Sequence, residues 1–289
     1  MAGRWHKVQD RLTSILFAAS AVLTALAVLV IAGYLARQGF GVFAYVSPGQ
    51  FFGGLRWSPP GTLGIPVLVA GTLASSLLAL ALGGGLGVAG AIFLARISPR
   101  WMDALLRPAV NLLAGIPSVV YGWIGLTVFV PLFRRLGGGT GFSLGAASVV
   151  LGVMILPTVL SLSEDALMAV PHELEDASLA LGATRWQTIR GVTIPVAARG
   201  ISTAFVLALA RAVGEATAVQ MVIGNTPSWP TGIFSPTDTI TGEILTSMGN
   251  APFGSAWSDA LFMLAFLLLL LTVGLIVAIR GRGGANIGR

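Results

Sequence analysis

Residues 201–223 read ISTAFVLALARAVGEATAVQMVI, an apolar or uncharged stretch interrupted only by Arg211 and Glu215. At 1.5 Å of rise per residue it is long enough to cross a bilayer as a helix, with both ionisable groups one helical turn apart. A charged side chain at the centre of such a helix costs roughly 2.5–3.5 kcal/mol, whereas an exposed ion pair at this spacing returns only about 0.2–0.5 kcal/mol. Lipid cannot therefore be the pair's surroundings. Arg211 and Glu215 are expected to face a bundle interior or a wet cavity, an arrangement that marks a transport pathway.

The rest of the chain agrees with a membrane protein. Of 289 residues, 55% are hydrophobic and 10% charged, and mean hydropathy is +0.87; this is too little polar surface for a soluble globule. The net charge of +6 is strewn between apolar runs rather than gathered on one face, which argues for membrane topology and against nucleic acid. The absence of cysteine excludes disulfides, iron–sulfur clusters and thiolate chemistry. His6 and His172 lie far apart, so a histidine-based metal or triad site is not expected. Lys7 is the sole lysine and lies outside any phosphate-binding loop, so nucleotide hydrolysis, if it drives this protein, belongs to a partner.

Six apolar runs predict an all-α integral membrane protein: Leu12–Ala36, Pro66–Leu94, Ala109–Phe133, Phe142–Leu162, Val196–Gly224 and Ala256–Ile279. The first follows the basic flank Arg4, Lys7 and Arg11 and reads as an uncleaved signal-anchor, which with its outer loop makes residues 1–65 one unit and 66–289 another. With both termini in the cytoplasm, the inner segments carry Arg4, Lys7, Arg11, Arg96, Arg100, Arg107, Arg185, Arg190, Arg199, Arg280, Arg282 and Arg289. The outer ones carry only Arg37, Arg56, Arg134 and Arg135, an about threefold bias that sets this orientation. In the second span, Gly83 and Gly87 form a small-residue step for close helix packing, and Pro117 and Pro157 are expected to kink the third and fourth. The outer loop Asn225–Ser255 lacks Lys and Arg, and a short helix is expected around Thr239–Met248.

Ser163–Pro195 is the most charged stretch, and its periodicity is helical. Leu174, Ala177, Ser178 and Leu181 share one face, and Glu173, Glu175 and Asp176 take the other. Pro171 suits a first turn, Gly182 a stop, and Thr184 a cap for a second short helix. An amphipathic linker on the headgroups and a docking element for a soluble partner both fit this pattern, although the acidic face would be repelled by anionic lipid.

The run Asp176-Ala177-Ser178, three residues, Gly182, nine residues, Val192, one residue, Ile194-Pro195 resembles the EAA loop of ABC importer permeases. Every spacing matches, with Asp176, Ser178, Val192 and Ile194 as conservative departures. The resemblance implies a type I importer permease whose coupling helix, including Glu175, Asp176, Ala177, Ser178, Leu181 and Gly182, seats in an ATPase subunit. Residues 113–122 (LAGIPSVVYG), with 211–215 (RAVGE) and 221–225 (MVIGN), are similar to permeases of the phosphate-specific transport system, and closer to the PstC-type than the PstA-type subunit. The likeness extends from about Leu68 to the C-terminus.

It implies a multi-pass subunit of the bacterial inner membrane, paired with a PstA-type permease, two ATP-binding subunits and an external phosphate-binding protein. ATP and Mg would sit on the partner, and no cofactor on this chain. Sulfate, molybdate and phosphonate permeases share the EAA pattern, and an ion-driven transporter or channel is the rival from another class. For Arg211, whose guanidinium matches phosphate oxygens, the expectation is that Glu215 neutralises it at rest and an oxyanion competes for it. The alternative is a structural ion pair. Arg211 and Glu215 share a stripe with Ala197, Gly200, Ala204, Ala208 and Ala218, while Thr217 and Gln220 lie on a different face.

Overall fold

The computed structural model describes the backbone of residues 2–284 and the side-chain surroundings of 13–99 and 101–277. The side chains of Arg4, His6, Lys7, Arg11, Arg100, Arg280, Arg282 and Arg289 lie outside the described residues. Helix α1 (Ala2–Gly39) runs into a 3-10 turn, Phe40–Ala44, and is followed by α2 (Pro48–Gly53) and a two-stranded hairpin, β1 (Trp57–Ser58) with β2 (Thr62–Leu63). Helices α3 (Pro66–Ala79) and α4 (Gly85–Arg96) are joined by the π-helical turn Leu80–Gly84 into one span. Then come α5 (Arg100–Gly115), α6 (Ser118–Ile124), a π turn at Gly125–Phe129, α7 (Val130–Gly137) and α8 (Leu144–Met168). The segment expected to dock carries α9 (His172–Ala180) and α10 (Arg185–Thr188), continuing through a π turn at Ile189–Thr193 into α11 (Ile194–Gly214). Helices α12 (Thr217–Ile223), α13 (Ile240–Ser247) and α14 (Ala256–Gly284) complete the chain.

Six helical segments among the described residues are long and apolar enough to cross a membrane: Thr13–Ala44, Pro66–Arg96, Ser118–Gly137, Leu144–Met168, Arg185–Gly214 and Ala256–Val277. Their number agrees with the sequence, and the largest differences in extent, in the third and fifth, have clear physical reasons. The third begins at Ser118 rather than Ala109, because Ile116 precedes a proline and is driven into extended backbone (ψ 129°). Pro117 thus separates two helices instead of kinking one. The residues before it form α5, an amphipathic helix with Trp101, Leu105 and Leu112 exposed on one side and Arg107 turned toward α8. The Tyr121 hydroxyl donates to the Leu113 carbonyl (2.7 Å) across that break. The fifth span, expected to continue to Gly224, stops at Gly214. Helix α8, by contrast, runs through Pro157 unbroken.

Helix α8 is the axis of the molecule. Its N-terminus is capped by the Ser143 hydroxyl, which accepts from the Ala146 amide (3.2 Å), and Leu151, Ile155, Val159 and Leu167 are buried along its length. In a bilayer, apolar side chains gain little by leaving lipid, so association rests on close packing of small residues. The Gly83–Gly87 step supplies it. A side chain at Gly83 would collide with the Gly152 carbonyl of α8, and one at Gly87 would come within 2.9 Å of Val159 Cβ. On the other flank Gly200 abuts Ala166, and Ala197, Ala204 and Ala208 of α11 are buried, as the small-residue stripe predicts. A second core, built from Phe51, Leu63, Leu68, Ile240 and Leu261, joins the 40–65 segment to α3, α13 and α14. Two faces result. One gathers the ends of α4 and α8 with α5, α9 and α10 and is rich in arginine; the opposite face carries the hairpin and the 225–255 loop, tied by Trp229 Nε1 donating to the Leu55 carbonyl (3.1 Å).

Candidate functional site

The break after Gly214 places the intramembrane charges. Glu215 is extended (ψ 125°), and helical backbone resumes only at Thr217. Arg211 and Glu215 are therefore not a turn apart on one helix, and the expected ion pair is not formed. Glu215 instead accepts from the Ala218 amide (3.1 Å) through Oε1, satisfying a donor at the start of α12. Its carbonyl accepts from the Thr241 hydroxyl (2.8 Å). Arg211 Nη1 donates to Thr158 Oγ1 (3.1 Å), and Arg211 takes part in none of the ion pairs among the described residues.

The depth of this arrangement follows from α8. Thr158 lies about 21 Å along the axis from the Leu144 end and about 15 Å from the Met168 end, so Arg211 sits at mid-bilayer. Beyond the break, α12 packs on α6 and α8, and the Ser143 amide donates to the Val222 carbonyl (3.1 Å) at the opposite face. The fifth crossing is thus the 21-residue α11 followed, after the break at Glu215, by the seven-residue α12. Irregular backbone at that depth is tolerated only where protein buries it or a cavity solvates it. Arg211 is exposed at the surface of this chain. A charge at mid-bilayer with one hydroxyl partner requires a further polar surface or a solute opposite it. Thr217 and Gln220 lie on α12, beyond the break, and both are partly buried.

On the arginine-rich face, α9 has no buried residue. Leu174, Ala177 and Leu181 project outward, Leu181 with 89% of its surface exposed, while Glu173 and Asp176 rim them. Pro171 stands at the N-cap, one position ahead of the first turn. Gly182 ends the segment in the left-handed region (φ 86°), where a side chain would be strained. Thr184 and Gln187 form a reciprocal capping box for α10. Glu175 departs from its expected place on the outward acidic face. It turns inward, with Oε1 2.8 Å from Arg96 Nε and accepting from the Thr193 hydroxyl (2.7 Å). Ser178 also points inward, paired with Thr188 (3.0 Å). Nothing local in the sequence signals these contacts, since Arg96 and Glu175 belong to distant segments. Nearby, Arg107 pairs with Glu164 (2.6 Å) and ties α5 to the end of α8.

The helix expected around Thr239–Met248 is α13, capped by Thr239, whose hydroxyl accepts from the Gly242 amide (3.0 Å). Beside it, and missed in the sequence, is a buried carboxyl pair. Asp238 accepts from the Thr239 amide (2.7 Å) and lies buried near Glu243, which accepts from Ser247 (2.5 Å). Thr72 of α3 accepts from the Ile240 amide (2.9 Å), anchoring the loop. Burial, reinforced by Glu243 and partly offset by the Thr239 amide, pushes the Asp238 carboxyl up to about 7. Because the folded value lies above that of an unfolded aspartate, the stabilisation is complete below about 4 and is lost as pH rises through about 7. Amide exchange in the 237–247 segment, corrected for intrinsic chemistry, is expected to be roughly tenfold faster at pH 8 than at pH 6, and Asp238→Asn should abolish the difference.

A six-span fold with its fifth crossing broken beside a mid-bilayer arginine, and with a short exposed helix on its arginine-rich face, defines a membrane translocation subunit. Residues 87–281 match the family described as binding-protein-dependent transport system inner membrane component. The chain belongs to that family of multi-pass permeases. It is 43% identical to the probable ABC transporter permease protein YqgH of Bacillus subtilis, covering 90% of this chain and 85% of that protein. It is 31% identical to the phosphate transport system permease protein PstC of Mesorhizobium japonicum, over 95% and 93% of the two chains. Among solved structures, a bacterial ABC transporter involved in the import of the acidic polysaccharide alginate shares the fold at a TM-score of 0.58 and 16% identity, covering 93% of this chain and 96% of the other. The inward-facing MetNI methionine ABC transporter aligns at 0.53 and 26% identity, over 75% and 94% of the two.

Proposed function

We propose that this chain is the PstC-type permease subunit of an ATP-driven phosphate importer. Its arginine-rich face, with both termini, lies in the cytoplasm, following the bias of Arg and Lys between the two sets of loops. Helix α9 is the coupling helix, offering Leu174, Ala177 and Leu181 within the rim of Glu173 and Asp176 to a cleft of an ATPase subunit, which holds ATP and Mg. A PstA-type permease stands opposite Arg211, a second ATPase copy binds that permease, and a phosphate-binding protein delivers solute from outside. This chain itself catalyses no hydrolysis.

The observation that carries the reading is Arg211, a guanidinium at mid-bilayer with a hydroxyl partner and, among the described residues, no carboxylate paired with it. A planar fork of donors is matched to the oxygens of phosphate and stays charged when desolvated. Glu215, engaged with the α12 backbone, leaves that charge for the solute and does not compete with it. The stretch of relatives named as phosphate permeases supports phosphate as the cargo. The test is uptake by the assembled complex in proteoliposomes. Labelled phosphate should accumulate with ATP and not without it, and sulfate and molybdate should not displace it; equal uptake of sulfate would reassign the cargo, and uptake driven by an ion gradient alone would reassign the class.

A further inference from the structure

We propose that Arg96 is the positioning residue that transmits movement of α9 to the membrane helices, acting through Glu175; the assignment rests on α9 being the coupling helix. Helix α9 buries no residue of its own, so no packed core can carry force from it. Beneath it lies a cleft of about 270 Å³ lined by Arg96, Glu175, Leu179, Arg185, Thr188, Ile189 and Thr193. Across this space the connections are polar. Arg96, with only 10% of its side chain exposed, sets Nε 2.8 Å from Glu175 Oε1 and donates from Nη2 to the Leu167 carbonyl (2.7 Å). The same Glu175 oxygen accepts from Thr193 in the π turn that leads into α11.

One carboxylate on α9 thus holds the end of α4, the end of α8 through Arg96, and the base of α11. The last of these carries Arg211 at its far end. His172, 3.8 Å from the other Glu175 oxygen and on α9 itself, adds no link to the membrane helices. A buried ion pair is a strong tether when both partners are present, and removing one leaves a charge without compensation. Nothing in the docking surface is altered by such a change, because Leu174, Ala177 and Leu181 point the other way.

The experiment measures ATP hydrolysed per phosphate accumulated by the complete transporter in proteoliposomes. Arg96→Gln and Glu175→Gln should each retain the ATPase subunits on purification and keep hydrolysing ATP, while the ATP-to-phosphate ratio rises about tenfold. The double variant should be no worse than either single one, as expected of two residues acting as a unit. Arg96→Lys, which keeps the charge opposite Glu175, should stay within about threefold of the parent. An unchanged ratio in the glutamine variants overturns the proposal, as does additive loss in the double variant. Should Arg96→Gln fail to accumulate, Glu175→Gln and Arg96→Lys are read alone, and a normal ratio in the first or a disrupted one in the second overturns it equally. A parent complex without ATP-driven uptake overturns this assignment and the function proposed above together, whereas a normal parent with unaffected variants overturns only this one.

Discussion

Phosphate uptake through the complex is expected to fall roughly 100-fold on replacing Arg211 with alanine, the loss of two charge-assisted hydrogen bonds at about 1.5 kcal/mol each. Arg211→Lys should fall less, by about tenfold, because a single ammonium retains the charge but not the planar fork. The order matters more than the size. A structural role through Thr158 alone would predict loss of folded protein in the alanine variant, which gives up the bond that Arg211 makes to α8. A pathway role predicts folded complexes, intact ATPase assembly and graded transport. Normal uptake in both variants would remove Arg211 from the path. Glu215→Gln separates the two charges further: because Glu215 binds the Ala218 amide and not Arg211, a neutral amide oxygen preserves that bond and transport should remain within about threefold of the parent.

The second large effect is expected at α9. Replacing Glu173–Gly182 with a glycine–serine segment of equal length should abolish binding of the ATPase subunit and all ATP-driven uptake, with the six spans still inserted. A single change makes the point more sharply. Leu181 is 89% exposed in this chain, and seating it in a partner's cleft is worth about 1.5–3 kcal/mol, so Leu181→Asp should weaken the ATPase complex by roughly 100-fold. Co-purification and a binding titration on nanodisc-embedded protein measure it. Persistence of uptake at the parent rate after the segment exchange would favour an ion-driven transporter.

These two sites were legible in the sequence to different degrees. The span count, the small-residue stripe of α11, the Gly83–Gly87 contact and the stop at Gly182 all follow from composition and spacing within one segment. Arg211 is legible because a charge in an apolar run needs no tertiary neighbour to be noticed. Its relation to Glu215 is not, because helix continuity through Gly214 depends on what meets the freed backbone there. In the fold that partner is α13, whose Thr241 binds the Glu215 carbonyl from 26 residues away along the chain. Glu175 shows the same limit. Helical periodicity grouped it with Glu173 and Asp176, and only the approach of Arg96 and Thr193 turned it inward. The Asp238–Glu243 pair was invisible for another reason: polar residues in a long loop read as solvated until α3 and α14 are seen to bury them.

Sequence alone determined that this chain lives in a bilayer, how many times it crosses and which loops share a side. Those properties are set by transfer free energies and by periodicities of single segments, which no tertiary contact reverses. Tertiary structure decided where the fifth crossing breaks, which partner each buried charge takes, and how the exposed helix is tied to the spans. Such choices depend on distances between groups far apart along the chain, and an ionisable side chain removed from water settles on whichever polar neighbour the packing brings within reach.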